Sequence, residues 1–181
     1  MTYFTSRDLI AVAACAASWA ILNTLIAPIF WQLTYMPFFC DLLAFLSLTL
    51  AVWWTRKFGA ATLTGLIVAA LTLMLRPTAF HIFAFAAASF LFDLLTRAVG
   101  YRNCLERRWS SVLCIVLFSM LSAAVAGAII GSLFMSFMTL EAILTFAGLH
   151  SIGGVIGGAL GVATVRGLIA RGVVLTDWRK M

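Results

Sequence analysis

The chain has 181 residues, of which 64% are hydrophobic and 10% charged, and its formal net charge is +6. A soluble domain carries about 25% charged residues, so this composition excludes a water-covered globule. The basic excess is therefore read as loops held against anionic lipid, and no nucleic-acid partner is expected.

Six apolar runs long enough to span a bilayer as helices are predicted. The first covers residues 9–26 and ends ahead of Pro28; with no small-residue cleavage site evident, it is read as a mature helix and not a signal peptide. The second covers 38–55, and the third, 58–75, is closed by Arg76 and Pro77. The fourth covers 79–96, the fifth 110–135 and the sixth 140–165. The stretch 109–165 holds one acid, Glu141, one histidine, His150, and no Lys or Arg. None of the runs alternates polar and apolar residues as barrel strands do. The expected fold is an all-α integral membrane protein, with one six-helix transmembrane domain over 1–181 and no extramembrane domain.

The basic residues orient these spans. Arg7, Arg56, Lys57, Arg97, Arg102, Arg107, Arg108, Arg166, Arg171, Arg179 and Lys180 fall on one side, and Arg76 alone on the other. The positive-inside rule then places both termini in the cytoplasm. The outer connections are 27–37, rich in aromatics and prolines, 76–78, and 135–140.

Small residues mark faces where helices approach closely. The first helix carries two alanine stripes, Ala13 with Ala17 and Ala16 with Ala20; packing inside the bundle and docking of a partner protein are both open for them. The sixth helix carries Gly153, Gly157 and Gly161 beside Gly154 and Gly158, read as packing inside the bundle.

Ionisable groups at membrane depth are functional candidates because burying them is costly. Asp41, His81, Glu141 and His150 all fall in the outer half, near Asn23, Thr24, Trp31, Gln32 and Tyr35. Together they suggest a pocket open to the outside, its carboxylates suited to a cationic ligand and its aromatics to a flat ring. Helix capping at a wet interface is the alternative for Asp41, Glu141 and His81. Asp93 is expected to pair with Arg97 four residues on, and Asp8, Glu106 and Asp177 to be solvated. Cys15, Cys40, Cys104 and Cys114 form no CxxC pair or Cys/His cluster, so no metal or cofactor is expected. No motif of a hydrolase or nucleotide-binding enzyme occurs, so the chain is not expected to be an enzyme.

On three stretches the chain resembles the substrate-binding S component of energy-coupling factor (ECF) transporters. TSRDLIAVAACAASWA resembles that family's alanine-rich docking motif, and SIGGVIGGALG its glycine-rich last helix. RKFGAATLTGLIVAALTLMLRP resembles the YkoE branch, associated with thiamine or its hydroxymethylpyrimidine precursor. The chain departs from that branch in having no acid within TLTGLIVAA, and from metal-specific S components in beginning Met1-Thr2-Tyr3. The resemblance implies capture of a vitamin from outside for uptake driven by a membrane coupling protein and two ATPase subunits. It implies that Asp41, Glu141, His150 and the Trp31–Tyr35 loop bind and cover the ligand, and that Ala13, Ala16, Ala17 and Ala20 dock the coupling protein. Another vitamin, a transition-metal ion, or a structural role in a membrane complex are the alternatives.

Overall fold

The computed structural model describes residues 3–105 and 110–173, and all regular structure among them is helical. Of the orienting charges, Arg107, Arg108, Arg179 and Lys180 lie outside the described residues, as do Glu106 and Asp177.

Local chemistry sets each boundary. Helix α1 (Ser6–Leu25) opens on a capping box in which the Thr5 hydroxyl accepts from the Asp8 N–H and the Asp8 carboxylate accepts from the Thr5 N–H. It stops ahead of Pro28, but the chain does not become a loop. Residues Ala27–Thr34 form a second helix, α2, with Pro28 in its first turn, where a missing N–H costs nothing. The expected outer loop is thus mostly helical. Tyr35, at φ 54°, ends α2 in the left-handed region.

Helix α3 (Phe38–Thr55) and helix α4 (Ala60–Leu75) are joined by a turn in which Gly59 takes φ 94°. Helix α5 (Ile82–Val99) leads through Gly100 into the short α6 (Tyr101–Leu105). Helix α7 (Ser110–Ile129) widens into a π-helical turn, Ile130–Phe134. Helix α8 (Leu140–Ala170) is the longest at 31 residues and is capped by the Thr139 hydroxyl.

Five of these helices are long and apolar enough to cross a membrane. Where six spans were expected, α4 has 16 residues, about 24 Å at 1.5 Å per residue, short of the ~30 Å hydrocarbon thickness.

The six long helices close a ring in the order α1, α3, α8, α7, α5, α4 and back to α1. Its centre holds Trp19, Phe45, Trp53 and Phe92, together with small hydroxyls that bond back to their own helix, such as Thr49 to the Phe45 carbonyl and Ser89 to the Phe85 carbonyl. Large apolar side chains such as Leu66, Met74, Phe83, Leu113 and Leu144 point outward. An apolar exterior around a small-residue, hydroxyl-bearing interior is how helices pack in lipid, where apolar burial no longer drives association.

The glycines of α8 make this possible. A Cβ on Gly153 or Gly157 would meet the α3 backbone at Phe38 and Leu42, and one on Gly161 would meet Thr49. Gly154 and Gly158 face Ser119, Ala123 and Ile115 of α7. Both stripes therefore serve packing within the bundle.

At the end of the ring where α1 begins, two acids differ from expectation. Asp8 is buried, not solvated, and pairs with Lys57 at 2.8 Å. The Asp93 carboxylate does not pair with Arg97; it accepts from the Gly59 N–H at 2.8 Å and from the N–H and hydroxyl of Thr62. It caps α4 from the neighbouring α5, satisfying N–H groups that helix geometry leaves free.

Candidate functional site

A cavity of about 380 Å³ lies at the opposite end, where α1 gives way to α2 and α4 to α5. That volume suits a small organic ligand, or on the order of a dozen waters at ~30 Å³ each. Its polar lining comes from Asn23 of α1, Trp31 and Gln32 of α2, Arg76, His81 and His150. Phe85, Ile130, Phe134 and Phe146 supply apolar walls. The π-turn brings Ile130 and Phe134 to the cavity, a use to which such local widenings are frequently put.

His150 is the best-defined group here. It is 2% exposed, and its Nδ1 lies 2.7 Å from Oδ2 of Asp41, which is fully buried in the first turn of α3. The Phe146 ring packs edge-on at 4.8 Å between centroids and Phe85 lies at 6.0 Å. On the remaining side Gly127 leaves room: a Cβ there would stand 2.8 Å from the His150 ring. The imidazole is thereby held in one orientation by an acid, two rings and a glycine. The residue lines the cavity, and its Nε2 has no hydrogen-bond partner in the protein. Asn23 likewise presents a buried, unpartnered Oδ1. Buried polar atoms are nearly always satisfied, and of those left unpartnered these two belong to residues that line the cavity, where a ligand or water can supply the bonds.

His81 sits at the start of α5 without a capping bond. In its neutral form the imidazole can donate from one ring nitrogen and accept at the other.

Of the residues expected to bind a ligand, Trp31, Gln32, His81 and His150 line the cavity. Asp41 stands behind His150 and neither lines the cavity nor caps α3. Tyr35 is 74% exposed, outside the cavity against the Trp31 ring. Glu141 is exposed in the first turn of α8, where Thr139 does the capping. The carboxylates expected to meet a cation are thus absent from the lining, and the charge that is present belongs to Arg76.

Sequence reasoning brings Asn23 into the neighbourhood without a definite role, and passes over Arg76 and the three phenylalanines as lining groups. A signal for Asn23 exists, since it shares the stripe Val12, Ala16, Trp19 with the interior. Arg76 is conspicuous as the lone cation on its side.

The alanine stripes divide as well. Ala16 and Ala20 are fully buried in the core and are inaccessible to a partner, whereas Ala13 is exposed and Ala17 half-buried.

These features define a helical membrane protein with a polar, aromatic-walled cavity at one end of its bundle. Comparison with protein-family models, with curated proteins and with solved structures finds no match to this chain.

Proposed function

We propose that the chain is the membrane-embedded substrate-binding subunit of an ECF-type importer, capturing a vitamin-sized heteroaromatic molecule from outside for ATP-driven uptake by partner subunits. The chain spans the membrane six times with both termini inside, α4 completing its crossing through the flanking residues 56–59 and 76–78. One observation carries this reading. The cavity lies at the end that holds Arg76, away from Arg56, Lys57, Arg97 and Arg102, so by the positive-inside rule it opens outward. Helix α2 forms one wall and is the segment placed to cover a ligand. The exposed side of α1, with Ala13 and Ala17, is the docking face for a coupling protein.

Thiamine, a cation, would suit a pocket lined by Asp41 and Glu141. With neither carboxylate there, its uncharged hydroxymethylpyrimidine precursor is the better fit of the two. The test is thermal unfolding of the purified chain, without ATP, against thiamine, hydroxymethylpyrimidine, riboflavin and biotin. A ligand at a hundredfold its Kd stabilises by about 2.7 kcal/mol, which is several degrees. No shift with any small heterocycle, and no association with a coupling protein and ATPases, would refute the reading.

A further inference from the structure

The cavity's charge is one-sided. Arg76 is the one residue of its lining with a permanent charge, and among the described residues no carboxylate is paired with it. It closes α4 and is exposed at the cavity mouth. Asp41, the nearest buried acid, is turned to His150 at 2.7 Å. His81 lines the cavity with Arg76 as a further hydrogen-bonding group. The same lining includes the buried His150 and Asn23, whose Nε2 and Oδ1 are unpartnered, and the Trp31, Phe85 and Phe146 rings.

A ligand complementary to this order has three parts: an anionic group for the mouth, a flat ring for the aromatic walls, and a polar ring edge for the floor. Resting on the reading of this cavity as the ligand site, we propose that its ligand is a planar heteroaromatic acid whose carboxylate is held by Arg76 and whose ring edge meets His150 and Asn23. A guanidinium matches a carboxylate in bidentate geometry, which a neutral amide does not reproduce.

The experiment uses the purified full-length chain in detergent and titration calorimetry with matched acid and amide pairs. The pairs are pyridine-3-carboxylate, indole-3-acetate and pterin-6-carboxylate, each beside its primary amide. At least one acid binds, about ten- to a hundredfold tighter than its amide, the range expected for a hydrogen bond to a charged group. Arg76→Gln removes that preference, weakening the acid far more than its amide, and Arg76→Lys retains part of it. If no acid binds, or each amide binds as well as its acid, the proposal is overturned. Binding of hydroxymethylpyrimidine with no acid bound overturns it while leaving the importer reading intact; silence towards every compound overturns it, and together with no association with a coupling protein and ATPases overturns the importer reading as well. An acid preference lost in phosphatidylglycerol nanodiscs but kept in phosphatidylcholine discs assigns Arg76 to an anionic lipid headgroup, and also overturns it.

Discussion

Replacing Gly153 by Ala tests the helix contact on which the site is built. A Cβ there would lie 2.5 Å from the Phe38 carbonyl oxygen and 2.7 Å from the Phe38 Cα and the Asp41 Cβ. Carbon contacts are normally about 3.5–4.0 Å, so α3 must retreat from α8 by roughly 1 Å. These atoms are backbone or at the root of a side chain, and no rotamer change relieves them. Gly148, on the same helix, is exposed, and a methyl added there would meet nothing within 4 Å. Both substitutions gain the same helix propensity, about 1 kcal/mol, so the difference between them isolates overpacking. That difference is about 1–3 kcal/mol, or about 2–12 °C at 2–4 °C per kcal/mol. Gly148→Ala melts above the parent protein and Gly153→Ala below Gly148→Ala by this margin in thermal unfolding in detergent. Because the displaced atoms include Asp41, Gly153→Ala also weakens ligand binding, which Gly148→Ala does not. Two variants melting within about 1 °C of each other, with equal ligand affinity, would show that α3 and α8 do not meet at this glycine.

The Asp41 and His150 pair gives a second prediction. Asp41→Ala leaves His150 buried without its partner and costs about 1–3 kcal/mol, whereas Asp41→Asn keeps an acceptor and costs less; denaturation in mixed micelles checks the order. Glu141→Gln and Tyr35→Ala leave ligand affinity unchanged in calorimetry, since both side chains lie outside the cavity. Asp93→Ala frees the N–H groups of Gly59 and Thr62 and destabilises by about 1–3 kcal/mol, while Arg97→Ala changes stability by less than about 0.5 kcal/mol. Ala13→Trp blocks co-purification with a coupling protein but leaves the fold and ligand binding intact; Ala16→Trp, in the core, reduces the yield of folded protein.

Several levels of organisation are legible along the chain, and each stops at a physical limit. Sparse charge and long apolar runs are additive properties of local composition, so the membrane class and the helices follow from them. The predicted helix 38–55 coincides with α3, and the others agree to within a few residues. Residues 27–37 read as a loop because Pro28 and Pro37 bracket them, yet proline is tolerated in a first helical turn, and α2 forms behind Pro28. The site is legible as a neighbourhood: His150 lies three residues before Gly153, on the stripe that faces another helix. Which helix that is cannot be read from the stripe.

By itself, then, the sequence determined hydropathy, charge asymmetry and the placement of caps and breakers, because these act within a turn or two of each residue. The tertiary structure decided which of two adjacent alanine stripes is buried, that Asp41 lies against His150 and outside the cavity lining, that Asp93 caps α4 and does not pair with Arg97, and that Glu141 faces away. Each depends on the rotation of a helix about its axis, and that rotation is set by contacts between residues distant in the chain: α1 against α3 and α4, α5 against α4 and α7, and the glycines of α8 against α3 and α7, roughly a hundred or tens of residues away.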